Sequence, residues 1–247
     1  MTIQKNPVYA IVPLRIGSTR VPKKNIRELA GKPLAAHMIQ ALNHSQYIDE
    51  VLVSTSSDEI ETALRPYCSF KRIHRPQEMS NTTICGPGIF SHAANSYGIS
   101  KTDIVILVDA THPFIKPEWI DETIEKLVNI PEAECAMLTT DAERPEFFLT
   151  PNENGILEHF HIPEAVQNGL DWSEYIQSIF EPSILLDGPR GISTYYYKSL
   201  IKHHNPFMKV PTVSVPIPKI HSFCVDTPED WKMVEITAHY LKQQGEL

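Results

Sequence analysis

The stretch VPLRIGSTRVPKKN, residues 12–25, gathers Arg15, Arg20, Lys23 and Lys24 around Gly17, Ser18 and Thr19 at the end of an apolar run. A glycine-containing loop that follows a strand can turn successive N–H groups toward an anion, and basic side chains add charge to that cradle. It is neither a P-loop nor a dinucleotide fingerprint, because GxxxxGK[ST] and GxGxxG are both absent. A solvated basic turn is the other reading of the same residues. Position directly after the first strand favours the anion loop.

Two carboxylates stand where they could serve the same chemistry. Asp109 closes an apolar strand in VDATHPFI, with Thr111 and His112 beside it. It can hold a divalent cation or a ligand hydroxyl, or it can cap its own loop. His112 can act as a base, although a lone histidine is more often structural. Asp226, in CVDTPEDW, directly precedes a helix cap and can share a metal with another strand-end group, whereas Asp230 is a favourable charge in the first helical turn. In STSSDEIE, Ser57 or Asp58 reads as a helix cap, with nucleotide contact as the second reading. A cationic loop and separated strand-end aspartates suit nucleoside triphosphate chemistry, the loop taking phosphate oxygens and the aspartates holding Mg²⁺.

Positioning these groups requires an α/β frame. Strands are expected at Val8–Leu14, Val51–Thr55, Ile104–Val108 and Cys135–Thr139, and helices at Pro33–Leu42, Asp58–Pro66, Gly88–Tyr97 and Pro117–Val128. Near-continuous apolar strands such as DIVILVDA fit a mainly parallel sheet covered on both faces, whose ligands sit beyond the strands' carboxyl ends. ISTYYYKSLI reads as a strand running into a short helix, and Thr227, Pro228 and Glu229 open the last helix. The proline-punctuated segment from 144 to 190 reads as an insertion or arm within a single domain spanning 1–247.

The 247 residues are 42% hydrophobic and 21% charged, with a net charge of −8. That balance argues against a broad nucleic-acid or anionic-membrane surface, so any anion site must be local. Cys68, Cys85, Cys135 and Cys224 form no CxxC pair and no zinc spacing. No apolar window reaches membrane-span length, and a reduced, cytoplasmic protein is expected.

These motifs together resemble the CMP-sialic acid synthetase family of nucleotide-sugar cytidylyltransferases. The carrying residues are VPLRIGSTRVPKKN, the turn and helix AGKPLAAHMIQAL, VSTSSDEIE, ILVDATHPFI and VDTPEDW. The resemblance spans about residues 8–128 and again 190–240. It implies a three-layer, nucleotide-diphospho-sugar transferase-like α/β fold and a homodimer. It also implies transfer of CMP from CTP to a sialic-acid-like 2-keto sugar acid, with Mg²⁺ and release of pyrophosphate. Arg15 and Lys24 then take catalytic roles, and the nucleotide-binding set is Leu14, Arg15, Gly17, Ser18, Lys24, Asn25 and Ser54. Asp109, Thr111 and Arg190 then face the sugar and Asp226 matches a metal-binding aspartate, while Asp109, as a strand-end carboxylate, is expected to share that metal in place of the missing partner.

The chain departs from that pattern at informative places. Many relatives carry Asp where Ser56 and Ser57 stand, Asp-x-Asp where this chain has Cys224-Val225-Asp226, and Gln at the position of Asp109. These changes keep two alternatives open: another base or sugar, such as an octulosonate or a neutral sugar, and a non-catalytic nucleotide-sugar-binding homologue.

Overall fold

A computed structural model describes residues 6–80, 86–142, 149–151, 153, 156–159, 167–169, 186–188, 191–202 and 210–247. The chain divides into two compact units, Met1–Thr139 with Gly188–Leu247, and Thr140–Asp187.

In the first unit the order begins β1 (Val8–Pro13), β2 (Glu28–Leu29), β3 (Lys32–Pro33), α1 (Leu34–His44), β4 (Glu50–Thr55), α2 (Asp58–Leu64), β5 (Lys71–His74) and α3 (Gly86–Tyr97). It continues with β6 (Ile104–Val108), α4 (Pro117–Asn129) and β7 (Cys135–Asp141), whose last two residues belong to the second unit. The second unit adds a hairpin of β8 (Leu149–Pro151) and β9 (Leu157–His159), and β10 (Leu186–Asp187), which pairs with Thr140 and Asp141. The chain then returns to the first unit through β11 (Ile192–Tyr196), α5 (Tyr197–Lys202), β12 (Thr212–Pro216) and α6 (Pro228–Gln243). The four strands and four helices expected up to residue 129 and at 135–139 are all present, as are the strand-to-helix step at 192–202 and the final helix.

The first unit's sheet runs β12-β7-β11-β6-β1-β4-β5. β1 is an interior strand parallel to both neighbours, with Ala10 opposite Val51 and Ile106. β11 alone in this order runs antiparallel, to β6 and β7. Side chains alternate across a strand, and here both directions meet apolar cover. Ala10, Val12, Val53 and Ile106 pack with Ala36 and Ile39 of α1 and Ile120 and Ile124 of α4. Ile11, Leu52, Val105 and Leu107 pack with Phe90, Ala93 and Ala94 of α3. This explains the uninterrupted hydrophobicity of these strands and makes the unit three-layered.

A third cluster bears on the site. Trp231, Val234, Ala238 and Leu241 of α6 bury themselves against Val21, Leu29, Phe114 and Val225. Val21 belongs to the cationic loop, so the last helix clamps that loop beside the Asp226 segment. Fully burying one Val or Leu contributes roughly 1.5–3 kcal/mol, which makes Val21 a firm anchor amid polar neighbours. The helix start behaves as its sequence requires: Thr227 Oγ1 accepts from Asp230 N, Asp230 Oδ2 accepts from Thr227 N, and Pro228 occupies the first turn. Among the described residues, no helix is long and apolar enough to cross a membrane.

Candidate active site

A cavity of about 250 Å³ opens at the carboxyl ends of β1 and β6. Its walls include Leu14, Arg15, Ser18, Thr19, Arg20, Lys24 and Asn25 from the first loop, Arg75 after β5, Asp109, Ala110 and Thr111 after β6, and Asp226 before α6. Four cationic side chains thus face two carboxylates. That excess suits an anionic guest rather than a neutral one, because charges in a confined cleft are poorly screened.

The loop is held from beneath. Leu14 N donates to Ser54 O at 3.0 Å, and the Leu14 carbonyl accepts from Arg75 Nη2 at 2.7 Å. Asn25, buried, donates its Nδ2 to Arg15 O at 2.9 Å, which folds the loop back on itself. The tight turn falls on Lys23, whose φ of 52° is left-handed, and not on Gly17, which lies outside the positive-φ glycines. Gly17 is exposed and Ser54 fully buried, and neither lines the cavity. The main-chain carbonyl of Ser54, holding Leu14, is its contribution to the site. Ser57 caps α2 by accepting from Ile60 N at 3.3 Å, the first of the two readings of that segment.

The carboxylate side is built from three chain segments. Asp109 N donates to Gly191 O at 2.8 Å, and Asp109 Oδ1 accepts from Thr111 N at 3.1 Å and Thr111 Oγ1 at 2.7 Å. Val225 N donates to Thr111 O at 3.0 Å, tying the strand-end loop of β6 to the Asp226 segment. Lys24 Nζ donates to Val225 O and lies 3.1 Å from Asp226 Oδ1, with Arg20 Nη2 at 3.5 Å from the same oxygen. Lys24 is therefore a bridge across the cavity mouth, poised between Asp226 and whatever anion enters.

Cys224 stands between the two aspartates. Its Sγ is 3.0 Å from Thr111 Oγ1 and 3.7 Å from Asp226 Oδ2. Burial, followed by the neighbouring Asp109 charge, pushes the thiol up to about 12. At neutral pH it is an uncharged group separating two anions, where a second acidic residue would add repulsion. His112 is 4% exposed, with Nδ1 3.8 Å from Asp109 Oδ2. Asp109 and Asp226 line one cavity and offer hard oxygen donors with room for water, a donor set that fits Mg²⁺.

Arg15, Ser18, Lys24, Asn25, Asp109, Thr111 and Asp226 are thus brought together, whereas Arg190 lies outside the described residues. Arg75 is the charged side chain of the cavity lining that sequence reasoning passed over. It is 2% exposed, and burial, with Arg15 as the second cause, pulls its guanidinium below the ordinary arginine range. Its signal was a strand-end position, but KRIH carries one apolar residue and does not read as a strand.

The sequence and the fold are similar to those of known proteins. The chain is 29% identical to the CMP-N,N'-diacetyllegionaminic acid synthase of Legionella pneumophila over 233 residues, covering 92% of this chain and 94% of that one. It is 30% identical over 145 residues to the 3-deoxy-manno-octulosonate cytidylyltransferase of Geobacter sulfurreducens, covering 59% and 55%. In fold it matches a CMP:2-keto-3-deoxy-manno-octonic acid synthetase solved with CTP, at a TM-score of 0.67 and 16% identity over 96% of this chain and 99% of that one. The cytidylyltransferase family model matches residues 9–161, most of the chain, and the chain belongs to that family.

Proposed function

We propose that this chain transfers CMP from CTP to an acidic 2-keto sugar of the sialic-acid type, releasing pyrophosphate. The observation that carries the reading is the cavity where Arg15, Arg20, Lys24 and Arg75 face Asp109 and Asp226 at the carboxyl ends of parallel strands. The sialic-acid-like type is favoured by identity over near-complete alignments, 29% over 92% of this chain with the legionaminic acid enzyme against 24% over 91% with the octulosonate cytidylyltransferase of Thermodesulfovibrio yellowstonii.

The sugar's anomeric hydroxyl oxygen attacks the α-phosphorus of CTP. A P–O bond forms there as the bond to the bridging oxygen breaks, the hydroxyl proton goes to a base or water, and pyrophosphate departs. Such a displacement depends on alignment and charge neutralisation rather than on a covalent protein nucleophile. Arg15, Arg75 and Lys24 neutralise phosphate oxygens, Ser18 orients the nucleotide, and Asn25 holds the loop by its bond to Arg15 O. Asp226 and Asp109 would hold Mg²⁺, which supplies further positive charge at the phosphates. In this reading Asp109 compensates for the carboxylate that Cys224 replaces. The enzyme works in the cytoplasm as a homodimer, with the 144–190 segment contributing subunit or sugar contacts and Arg190 meeting the sugar carboxylate.

Pyrophosphate release with each of the four NTPs, against nine-carbon and eight-carbon keto acids and neutral sugars, with and without Mg²⁺, tests this. CTP-selective, metal-dependent release with a nine-carbon acid is expected. Release with another base or only with a neutral sugar overturns it, as does tight nucleotide binding without turnover. In the same assay Asp109→Asn should raise the Mg²⁺ concentration needed for half-maximal rate, and an unchanged requirement removes Asp109 from the metal site.

A further inference from the structure

Mg²⁺ is a hard cation, yet the carboxylate side of the cavity also carries two softer donors. A carboxylate oxygen of Asp109, a ring nitrogen of His112 and Cys224 Sγ all lie within 4.8 Å of one another. Around a tetrahedral ion such atoms stand roughly 3.3–3.7 Å apart, given metal–ligand bonds of about 2.0–2.3 Å. Contraction by about an ångström would close the set. The donors come from two segments already tied together by the Val225 N to Thr111 O hydrogen bond.

We propose that Asp109, His112 and Cys224 form a binding site for a thiophilic divalent cation of the zinc class, distinct in ligand set from the Asp109–Asp226 pair. A thiolate, an imidazole and one carboxylate select Zn²⁺ or Co²⁺ over Mg²⁺, and three protein ligands leave a fourth position for water or a phosphate oxygen. The surroundings are arranged for it. Thr111 Oγ1 donates to Asp109 Oδ1, which orients the carboxylate and leaves Oδ2 on the His112 side, 3.8 Å from Nδ1. Gly191 backs the imidazole so closely that a Cβ there would meet His112 Cβ at 3.0 Å, and its carbonyl holds Asp109 N. On binding, the Cys224 S–H bond breaks, a sulfur–metal bond forms, and one proton leaves to solvent per ion.

Binding itself rests on donor geometry. Only its consequence for turnover rests on the function proposed above: because Asp109 belongs to both sets, a thiophilic ion should compete with Mg²⁺ and slow CMP transfer.

Cobalt(II) titration of the full chain, followed by electronic absorption, reads the site without any activity. Saturation at one ion per chain is expected, with a sulfur-to-cobalt charge-transfer band in the near ultraviolet, intense visible bands of a four-coordinate ion, and displacement of both by zinc. Cys224→Ser should abolish the charge-transfer band, and His112→Gln should weaken cobalt binding by at least about 100-fold, the upper end of what even outer-shell partners cost. Asp226→Asn should leave the band in place. A weak six-coordinate spectrum, or a band that survives Cys224→Ser, overturns the proposal. If the cobalt spectrum appears while no NTP supports pyrophosphate release, the cation site stands and the transferase reading falls.

Discussion

Arg75 Nη2 donates to the Leu14 carbonyl at 2.7 Å, so a nearly buried guanidinium sits directly beneath the loop that carries Arg15 and Lys24. One arm of Arg75 fixes the loop's backbone while the residue also lines the cavity. Replacing it by Met removes a charged donor from the Leu14 carbonyl and should destabilise the fold by about 1–3 kcal/mol. Arg75→Lys keeps the charge but not the planar fork, so it should recover CTP affinity better than stability. Urea midpoints and CTP titrations on the two variants separate these effects, and equal losses in both measurements for both variants contradict the double role.

Lys24 is the other residue with two duties, donating to Val225 O and pairing with Asp226. Its side chain is 13% exposed, so the pairing is less screened than the Arg20–Asp226 contact, where both partners are at least half exposed. Removing one preorganised charge donor typically costs about 10²–10³ in kcat. Lys24→Met should fall in that range, and Arg20→Met by less than about tenfold. Steady-state kinetics on both variants check the ranking, and a reversed order means that the exposed arginine carries the phosphates.

Much of this frame was readable in advance. Val8–Pro13, the Val51–Val53 stretch of β4 and Ile104–Val108 are continuously apolar, so composition and position mark them as buried parallel strands. Thr227, Pro228 and Asp230 likewise announced the start of α6, because capping is a local matter of hydrogen bonds within four residues. Convergence in space was not legible. The partners of Asp226 lie 206 and 202 residues away at Arg20 and Lys24, and Arg75 follows a strand too polar to be recognised. The loop's left-handed residue is Lys23 rather than Gly17, a placement that residue type alone does not indicate. Family resemblance, carried by the loop motif, linked segments that physical pattern alone left separate.

Gly191 joins the sheet to the carboxylate side. It has φ +80°, and an added Cβ would meet both His112 Cβ and Met38 Cε at 3.0 Å. Backbone strain of this kind costs on the order of 1–3 kcal/mol, and although the flexible Met38 tip can swing aside, His112 Cβ is fixed to its own backbone. Gly191→Ala should therefore lower the urea midpoint by at least that equivalent. It should also disturb Asp109, whose N–H donates to the Gly191 carbonyl, and raise the Mg²⁺ requirement for turnover. A variant with wild-type stability would mean that the turn relaxes freely and that Gly191 positions neither Asp109 nor His112.

His37 provides a stability signal independent of catalysis. It lies on α1 and is 5% exposed, and its Nε2 bonds the Leu29 carbonyl at 2.9 Å. A carbonyl can only accept, so Nε2 carries the proton in the neutral ring. Burial, the largest cause, pulls the imidazole down from 6.5 to about 4, against the opposing effect of the Leu29 bond. The unfolded chain therefore binds more protons than the folded one between those values, and stability contributed by the neutral ring is present above pH 6.5 and lost as pH falls toward 4. At 1.36 kcal/mol per pKa unit the loss is on the order of 3 kcal/mol. Urea unfolding of wild type and His37→Gln across pH 4–7 isolates it: the difference between the two curves should narrow by roughly that amount toward pH 4. A difference that stays constant over the whole range shows that His37 titrates alike in both states, and that its burial carries no linked proton.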